Sequence, residues 1–212
     1  MKHASFLVPA LAAFALVACE NPADSTTTAT VSEAQGDSKE SSTAEDPAYA
    51  ISHSSTVGFV GSKVTGSHEG GFKTVHGHLH ISEEGDLTGG SIEIDMTSTW
   101  SDNDKLTEHL KNEDFFDVEN HPTATFSLTS YADKGDGNYR ISGDFMLRGV
   151  TKNISFPATA QKDGEDYKVQ AEFDINRKDW GIEYAGKADD LIRDEVVIKL
   201  DLIISPDAHH SH

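Results

Sequence analysis

Residues 138–158 read NYRISGDFMLRGVTKNISFPA. Tyr139, Ile141, Phe145 and Leu147 alternate with other residues around Gly143, and Ile154, Phe156 and Ala158 alternate again after Arg148-Gly149-Val150-Thr151. A period of two sends successive side chains to opposite faces, so both halves are strands with one dry and one wet face. The glycine-containing stretch between them is turn chemistry. The unit is a hairpin.

The same pattern extends in both directions. Upstream, Val57 and Phe59 form one set, Val75, Gly77, Leu79 and Ile81 a second, Ile92, Ile94, Met96 and Trp100 a third, and Ala124, Phe126 and Leu128 a fourth. Downstream come Tyr167, Val169, Ala171, Phe173 and Ile175, then Val196, Ile198, Leu200, Leu202 and Ile204. Glu84-Gly85-Asp86, Lys134-Gly135-Asp136-Gly137 and Asp163-Gly164-Glu165 punctuate them. About eight strands with short connections predict an all-β fold, a closed antiparallel barrel or a sandwich. Closure has the stronger case because it removes exposed sheet edges. A barrel of about eight strands has an interior just wide enough for side chains or one small ligand.

Ser101 to Phe116 breaks the alternation. Leu106 and Leu110 lie one helical turn apart, which predicts a short helix over about 103–112 near a barrel end, capped at Ser101 or Asp102. Phe115 and Phe116 follow it, and two adjacent phenylalanines need a cavity rim or a core.

The rest of the chain sets location. Residues 1–18 carry Lys2, then an apolar run from Phe6 to Ala18 that is too short for a bilayer span, and read as a signal peptide. Leu16-Val17-Ala18-Cys19 resembles a bacterial lipobox, which makes Cys19, the sole cysteine, the acylated first residue of the mature protein. Glu20 in place of aspartate after that cysteine favours the outer membrane over the inner. Residues 19–48 are rich in Ser, Thr, Ala and acid and predict a disordered tether reaching about 30 Å. Residues 49–206 make one domain, and 207–212 form a histidine-rich tail. Removing residues 1–18 leaves 16 basic against 36 acidic residues, a formal charge of −20. Such a surface excludes nucleic acid as a partner.

Four groups of residues resemble the YceI-like family, the periplasmic lipocalin-like proteins named for polyisoprenoid binding. They are Ser55-x-Val57-x-Phe59 with Gly71-Phe72 and Gly77; Thr99 through His109-Leu110 to Asp114-Phe115-Phe116-Asp117-Val118, His121-Pro122 and Phe126; Gly143-x-Phe145-x-Leu147-x-Gly149-Val150-Thr151-Lys152; and Arg177-x-Asp179-Trp180-Gly181-Ile182 with the strand Asp194 to Ile204. Members often carry Arg-Asp before the His-Leu pair, where this chain has Thr107-Glu108. The resemblance implies a lipocalin-like closed antiparallel barrel around an apolar tunnel for an isoprenoid, an isoprenoid quinone or a similar long-chain lipid. It also allows a homodimer.

Candidate tunnel residues are Phe59, Phe72, Trp100, Leu106, His109, Leu110, Phe115, Phe116, Phe126, Phe145 and Trp180, with Phe156 and Phe173 among the other inward aromatics. A hydrocarbon tail gains about 25 cal/mol per Å² of apolar surface removed from water, so no polar constellation is needed. Of the polar candidates, Arg177 and Asp179 read as a structural ion pair. The charge balance favours a neutral lipid head.

His76, His78 and His80 share the wet face of one strand, with same-face spacing of about 6.5–7 Å. A solvated, histidine-rich face accounts for the pattern. The rival assignment is a metal-buffering lipoprotein acting through these three, with His209, His210 and His212 in the tail. No Gly-x-Ser-x-Gly elbow, phosphate loop or HExxH motif is present, so catalysis is not expected, nor is a required cofactor beyond the bound lipid.

Overall fold

The computed structural model describes residues 21–36, 48–82 and 87–206. The expected signal peptide (1–18), Cys19 and the histidine-rich tail lie outside them. A 3-10 turn, Pro22–Ser25, leads into two short strands, β1 (Thr27–Thr28) and β2 (Thr30–Glu33). The wall then runs through β3 (Ala48–Ile51), β4 (Thr56–Lys63), β5 (Gly66–Phe72), β6 (Val75–Ile81), β7 (Leu87–Asp95) and β8 (Thr99–Ser101). After helix α1 (Asp104–Lys111) come β9 (Thr123–Gly135), β10 (Asn138–Leu147), β11 (Val150–Asp163), β12 (Asp166–Asn176), β13 (Gly186–Lys187) and β14 (Asp190–Pro206).

Several of these strands are halves of one bent stave. β3 and β4 both pair with β14, Ile51 opposite Ile204 and Val60 opposite Val197. β6 and β5 pair with β3 and β4, and β7 and β8 pair with β6 and β5. Counted as staves, the wall is an eight-stranded antiparallel meander that β12 closes against β14, from Tyr167–Ile204 to Asn176–Glu195. The closed barrel expected from the period-two runs is present. One end carries α1 and the connections β4–β5, β10–β11 and β12–β14, and is called the helix end. The other carries the connections β6–β7, β9–β10 and β11–β12, and is called the hairpin end.

Helix α1 lies where the leucine spacing predicts it, but its cap is Asn103, whose Oδ1 accepts from Leu106 N at 3.1 Å. Ser101 instead pins the entry to the helix, its N–H donating to Thr107 Oγ1 at 2.8 Å. Leu110 is buried and Leu106, half-buried, packs against the core.

Two expectations are corrected here. Trp100 points outward and is 38 % exposed. The 3-10 turn Met96–Ser98 between β7 and β8 shifts the alternation, so Thr99 takes the inward position and Trp100 the outer face, over Gly71. The second correction concerns the tether. Of the expected tether (19–48), Asn21–Gly36 is ordered on the barrel, and residues 37–47 lie outside the described residues. β11 pairs with β12 only from Thr159 to Asp163, leaving Lys152–Ser155 to pair with β2 and Phe173–Asp174 to pair in parallel with β1. The segment thus fills a seam where two wall strands part. Its poverty in large side chains did not matter, because unpaired strand edges supply the drive through backbone hydrogen bonds. Ala29 is buried there and its N–H donates to Asp174 O at 2.8 Å.

Candidate ligand-binding interior

Each wall strand sends alternate side chains inward, and the two halves of the barrel use them differently. Toward the helix end the interior is full. Phe59, Phe72 and Phe116 form a three-ring cluster with centroids 5.8, 5.9 and 5.8 Å apart. Phe145 meets Trp180 at 5.4 Å, and the indole N–H donates to Phe145 O at 3.3 Å. Trp180 and Met96 are 0 % and 1 % exposed.

A hollow opens toward the hairpin end and runs inward as far as Ile94, Phe145 and Ile175, near the helix-end termini of β7, β10 and β12. A cavity of about 230 Å³ is lined by Leu79, Ile81, Leu128, Ile141, Ala158, Val169, Leu202 and Ile204, with Phe72, Phe126, Phe145, Phe156 and Phe173 on its walls. Phe156 and Phe173 stack at 4.1 Å. Tyr131, Tyr139 and Tyr167 stand toward the hairpin end, the first two with centroids 6.3 Å apart. Among the described residues the lining holds one carboxylate, Asp133, and no lysine, arginine or histidine. The volume exceeds the roughly 150 Å³ of a dry cavity that admits benzene and approaches the roughly 300 Å³ of the smallest drug-sized sites.

Wall glycines set its shape. A Cβ on Gly143 would lie 2.2 Å from the Phe126 ring, and one on Gly70 would lie 2.4 Å from the Phe59 ring. Both rings therefore lie flat against neighbouring strands instead of reaching across the lumen. A wider hollow of about 1210 Å³ lies largely along the outer wall, among Lys73, Lys134, Arg140, Glu172, Lys199 and Asp201. Those charges give a hydrocarbon no reason to bind there.

Of the candidate tunnel residues, Phe72, Phe126 and Phe145 line the hollow. Phe59, Leu110, Phe115, Phe116 and Trp180 are buried outside its lining, among the core residues. His109 sits on α1 with Nε2 2.9 Å from Asp114 Oδ2, its ring packed against Phe115 and Tyr184 at 5.0 and 4.9 Å. The aliphatic and tyrosine lining went unselected, although Ile141, Ala158, Tyr167 and Val169 already stood on predicted dry faces. The signal for them in the sequence is their alternation.

Arg177 is structural, and its carboxylate partner is Asp194 rather than Asp179. It is 4 % exposed and donates to Arg193 O at 3.0 Å, to Ile182 O at 2.6 Å and to Asp194 Oδ1 at 3.2 Å. Burial pushes its pKa down, and Asp194 only partly offsets that. A residue that the sequence did not single out closes the helix end. Arg148 adopts φ 53° in the β10–β11 turn and donates to Glu113 O at 2.7 Å and Gly181 O at 2.8 Å. One guanidinium ties the loop after α1 to the turn carrying Trp180.

His76, His78 and His80 do share the outer face. His78 and His80 lie 5.3 Å apart by ring centroid, and His76 faces His53 at 6.3 Å. Among the described residues no group of three or more His, Cys, Asp or Glu is placed to hold a metal ion.

Together these features define a lipocalin-like class of protein, a closed antiparallel barrel with a ligand-sized apolar interior. The YceI-like domain model matches residues 49–204, and the chain belongs to that family. It is 32 % identical over 102 residues to a UPF0312 protein of Pseudomonas putida strain F1, covering 45 % of this chain and 53 % of the relative. It is 31 % identical over 126 residues to one from Shewanella denitrificans, covering 56 % and 63 %. The chain thus spans little more than half the length of these relatives. Burkholderia cenocepacia BcnA shares the fold with a TM-score of 0.66 at 22 % identity, over 72 % of this chain and 98 % of that one. A polyisoprenoid binding domain from Saccharophagus degradans does so with 0.62 at 20 %, over 76 % and 99 %.

Proposed function

We propose that this protein is a periplasmic lipoprotein, acylated at Cys19 and held on the outer membrane, that carries an isoprenoid, an isoprenoid quinone or a similar long-chain amphiphile. The observation that carries the reading is the hollow itself, walled by hydrocarbon and left unfilled by the protein's own side chains. Dry apolar cavities of this kind favour apolar guests, at about 25 cal/mol per Å² removed from water. The present volume takes a short hydrocarbon segment, so a longer chain extends past the tyrosines at the hairpin end. Among the described residues a lining with one carboxylate and no basic group favours a neutral head over a pyrophosphate. The polyisoprenoid binding domain with the same fold supports the ligand class. We assign the protein no catalysis and no metal.

The test is native mass spectrometry of protein purified without detergent, followed by solvent extraction. A co-purifying lipid, absent from Ala158→Phe protein, is the expected result. An empty barrel that also takes up no added isoprenoid ends the proposal.

A further inference from the structure

We infer that the helix end of the barrel rests directly on the bilayer, dipping Val64 and Leu191 among the lipid headgroups, while the hollow opens away from that membrane. The inference rests on the anchor at Cys19 proposed above. Cys19 precedes Asn21 by two residues, which span at most about 7 Å. Asn21 is already seated on the barrel: its Oδ1 accepts from Ala23 N and from Ser62 Oγ, each at 3.3 Å. The next residues are held too, because Thr26 Oγ1 donates to Asp174 Oδ1 at 2.7 Å, and Asp174 is 1 % exposed. Asp174, Val197 and Val60 lie opposite one another on the outer faces of β12, β14 and β4, and all three are buried. The N-terminal turn packs on β14 in this region. No slack is left for a long tether between lipid and barrel.

What lies beside that attachment fits a lipid surface. Val64 follows Ser62 by two residues, so the two sit about 7 Å apart. Among the described residues three large hydrophobic side chains are exposed, and two of them are Val64 at 55 % and Leu191 at 48 %. Val64 N donates to Leu191 O at 3.2 Å, which joins them in one patch. Their mounting is stiff: Asp190 takes Lys63 and also accepts from Thr65 Oγ1 at 2.9 Å and Thr65 N at 3.2 Å. A pair of exposed aliphatic side chains beside an acyl anchor is held within about 20 Å of the anchored residue by the chain to Asn21 and its contact with Ser62, within reach of the headgroup layer, where an apolar face gains by entering about 5–10 Å. The opposite end of the barrel, where Tyr139 of β10 and Tyr167 of β12 stand, is then on the order of 25–35 Å from the bilayer. Loading and release occur on the side facing away from the anchoring membrane.

The test uses the full-length lipidated protein in phosphatidylethanolamine–phosphatidylglycerol vesicles. Acylation consumes the sole cysteine, so nitroxide labels go on cysteines introduced as Val64→Cys and, at the hairpin end, Glu165→Cys. The expected result is that the Val64 label collides with a water-soluble nickel chelate about tenfold less often than the Glu165 label, and more often with oxygen. Adding Leu191→Asp to the Val64→Cys protein raises chelate access severalfold. Equal chelate access at positions 64 and 165 overturns docking. The intact mass separates the two readings. Acylated protein with equal access refutes docking alone, whereas a mass without acyl chains refutes the anchor and docking together.

Discussion

At the helix end of this barrel, rings from β4, β5 and the loop after α1 meet at 5.8–5.9 Å, and Trp180 has no exposed surface. At the hairpin end, Ala158, Ala160, Leu202 and Ile204 line open space. Two of the helix-end rings, Phe59 and Phe72, come from the wall strands β4 and β5, and the wall alone does not close that end. The plugs come from elements outside the regular wall: Phe116 from the loop after α1, Trp180 from the 3-10 turn after β12, and Met96 from the bend between β7 and β8. The β9–β10 and β11–β12 connections are tight turns with no residue long enough to fold back into the lumen. The packed end is the one to which the longer connections after β8 and β12 deliver large side chains.

That contrast can be broken most severely from the packed side. Trp180→Ala removes a fully buried indole and should cost about 3–5 kcal/mol in urea unfolding. A loss under about 1 kcal/mol would mean that this half is not close-packed. The hollow half should respond oppositely. Ala158→Phe fills the cavity and should lower isoprenoid affinity at least tenfold, about 1.4 kcal/mol, in a fluorescence titration. Stability should fall by no more than about 1 kcal/mol, because the added ring meets space rather than atoms.

Gly143→Ala sharpens the boundary between the halves. Its methyl must displace the Phe126 ring, at a cost of about 1–3 kcal/mol, and should shift the Phe126 ring resonances along with lipid binding. Thr26→Val leaves buried Asp174 short of one hydrogen bond and should cost about 1–2 kcal/mol in the same unfolding assay. No change would mean that the N-terminal segment lies loosely on the seam.

The smallest effect is set by pH. Asp190 is held below the usual 3.8 chiefly by its hydrogen bond to Lys63. A depressed carboxylate contributes stability that is fully present above its unfolded pKa and lost as pH falls through the folded one. The stability gap between parent and Asp190→Asn should therefore be constant from pH 5 to 7 and shrink only below about pH 4. A gap that changes between pH 5 and 7 would contradict the pairing.

Most of the wall was legible because alternation is a backbone property and survives any choice of side chain. Tyr139 to Leu147 and Ile154 to Ala158 pair as their turn suggested. Trp100 was misplaced because a 3-10 turn after Asp95 changes the parity, and nothing in Met96-Thr97-Ser98 announces it. The seam-filling segment was hidden for another reason. Its partners are backbone edges 120 to 150 residues away in sequence, and the signal sat in those partners: Val60 and Val197 are apolar at wet-face positions, which requires a cover. The hollow was legible only as a possibility of scale, since vacancy depends on how many large side chains the connections deliver to each end.

The central claim is that hydrocarbon occupies the hollow and not the packed cluster around Met96, Phe116 and Trp180. Photo-cross-linking with a diazirine-bearing isoprenoid alcohol, mapped by peptide mass spectrometry on detergent-free protein, tests it most directly. Adducts on Leu128, Ile141, Ala158 and Leu202, with none on Met96, Phe116 or Trp180, are predicted. Adducts confined to the helix half, or to the outer wall around Trp100 and Lys199, would contradict it.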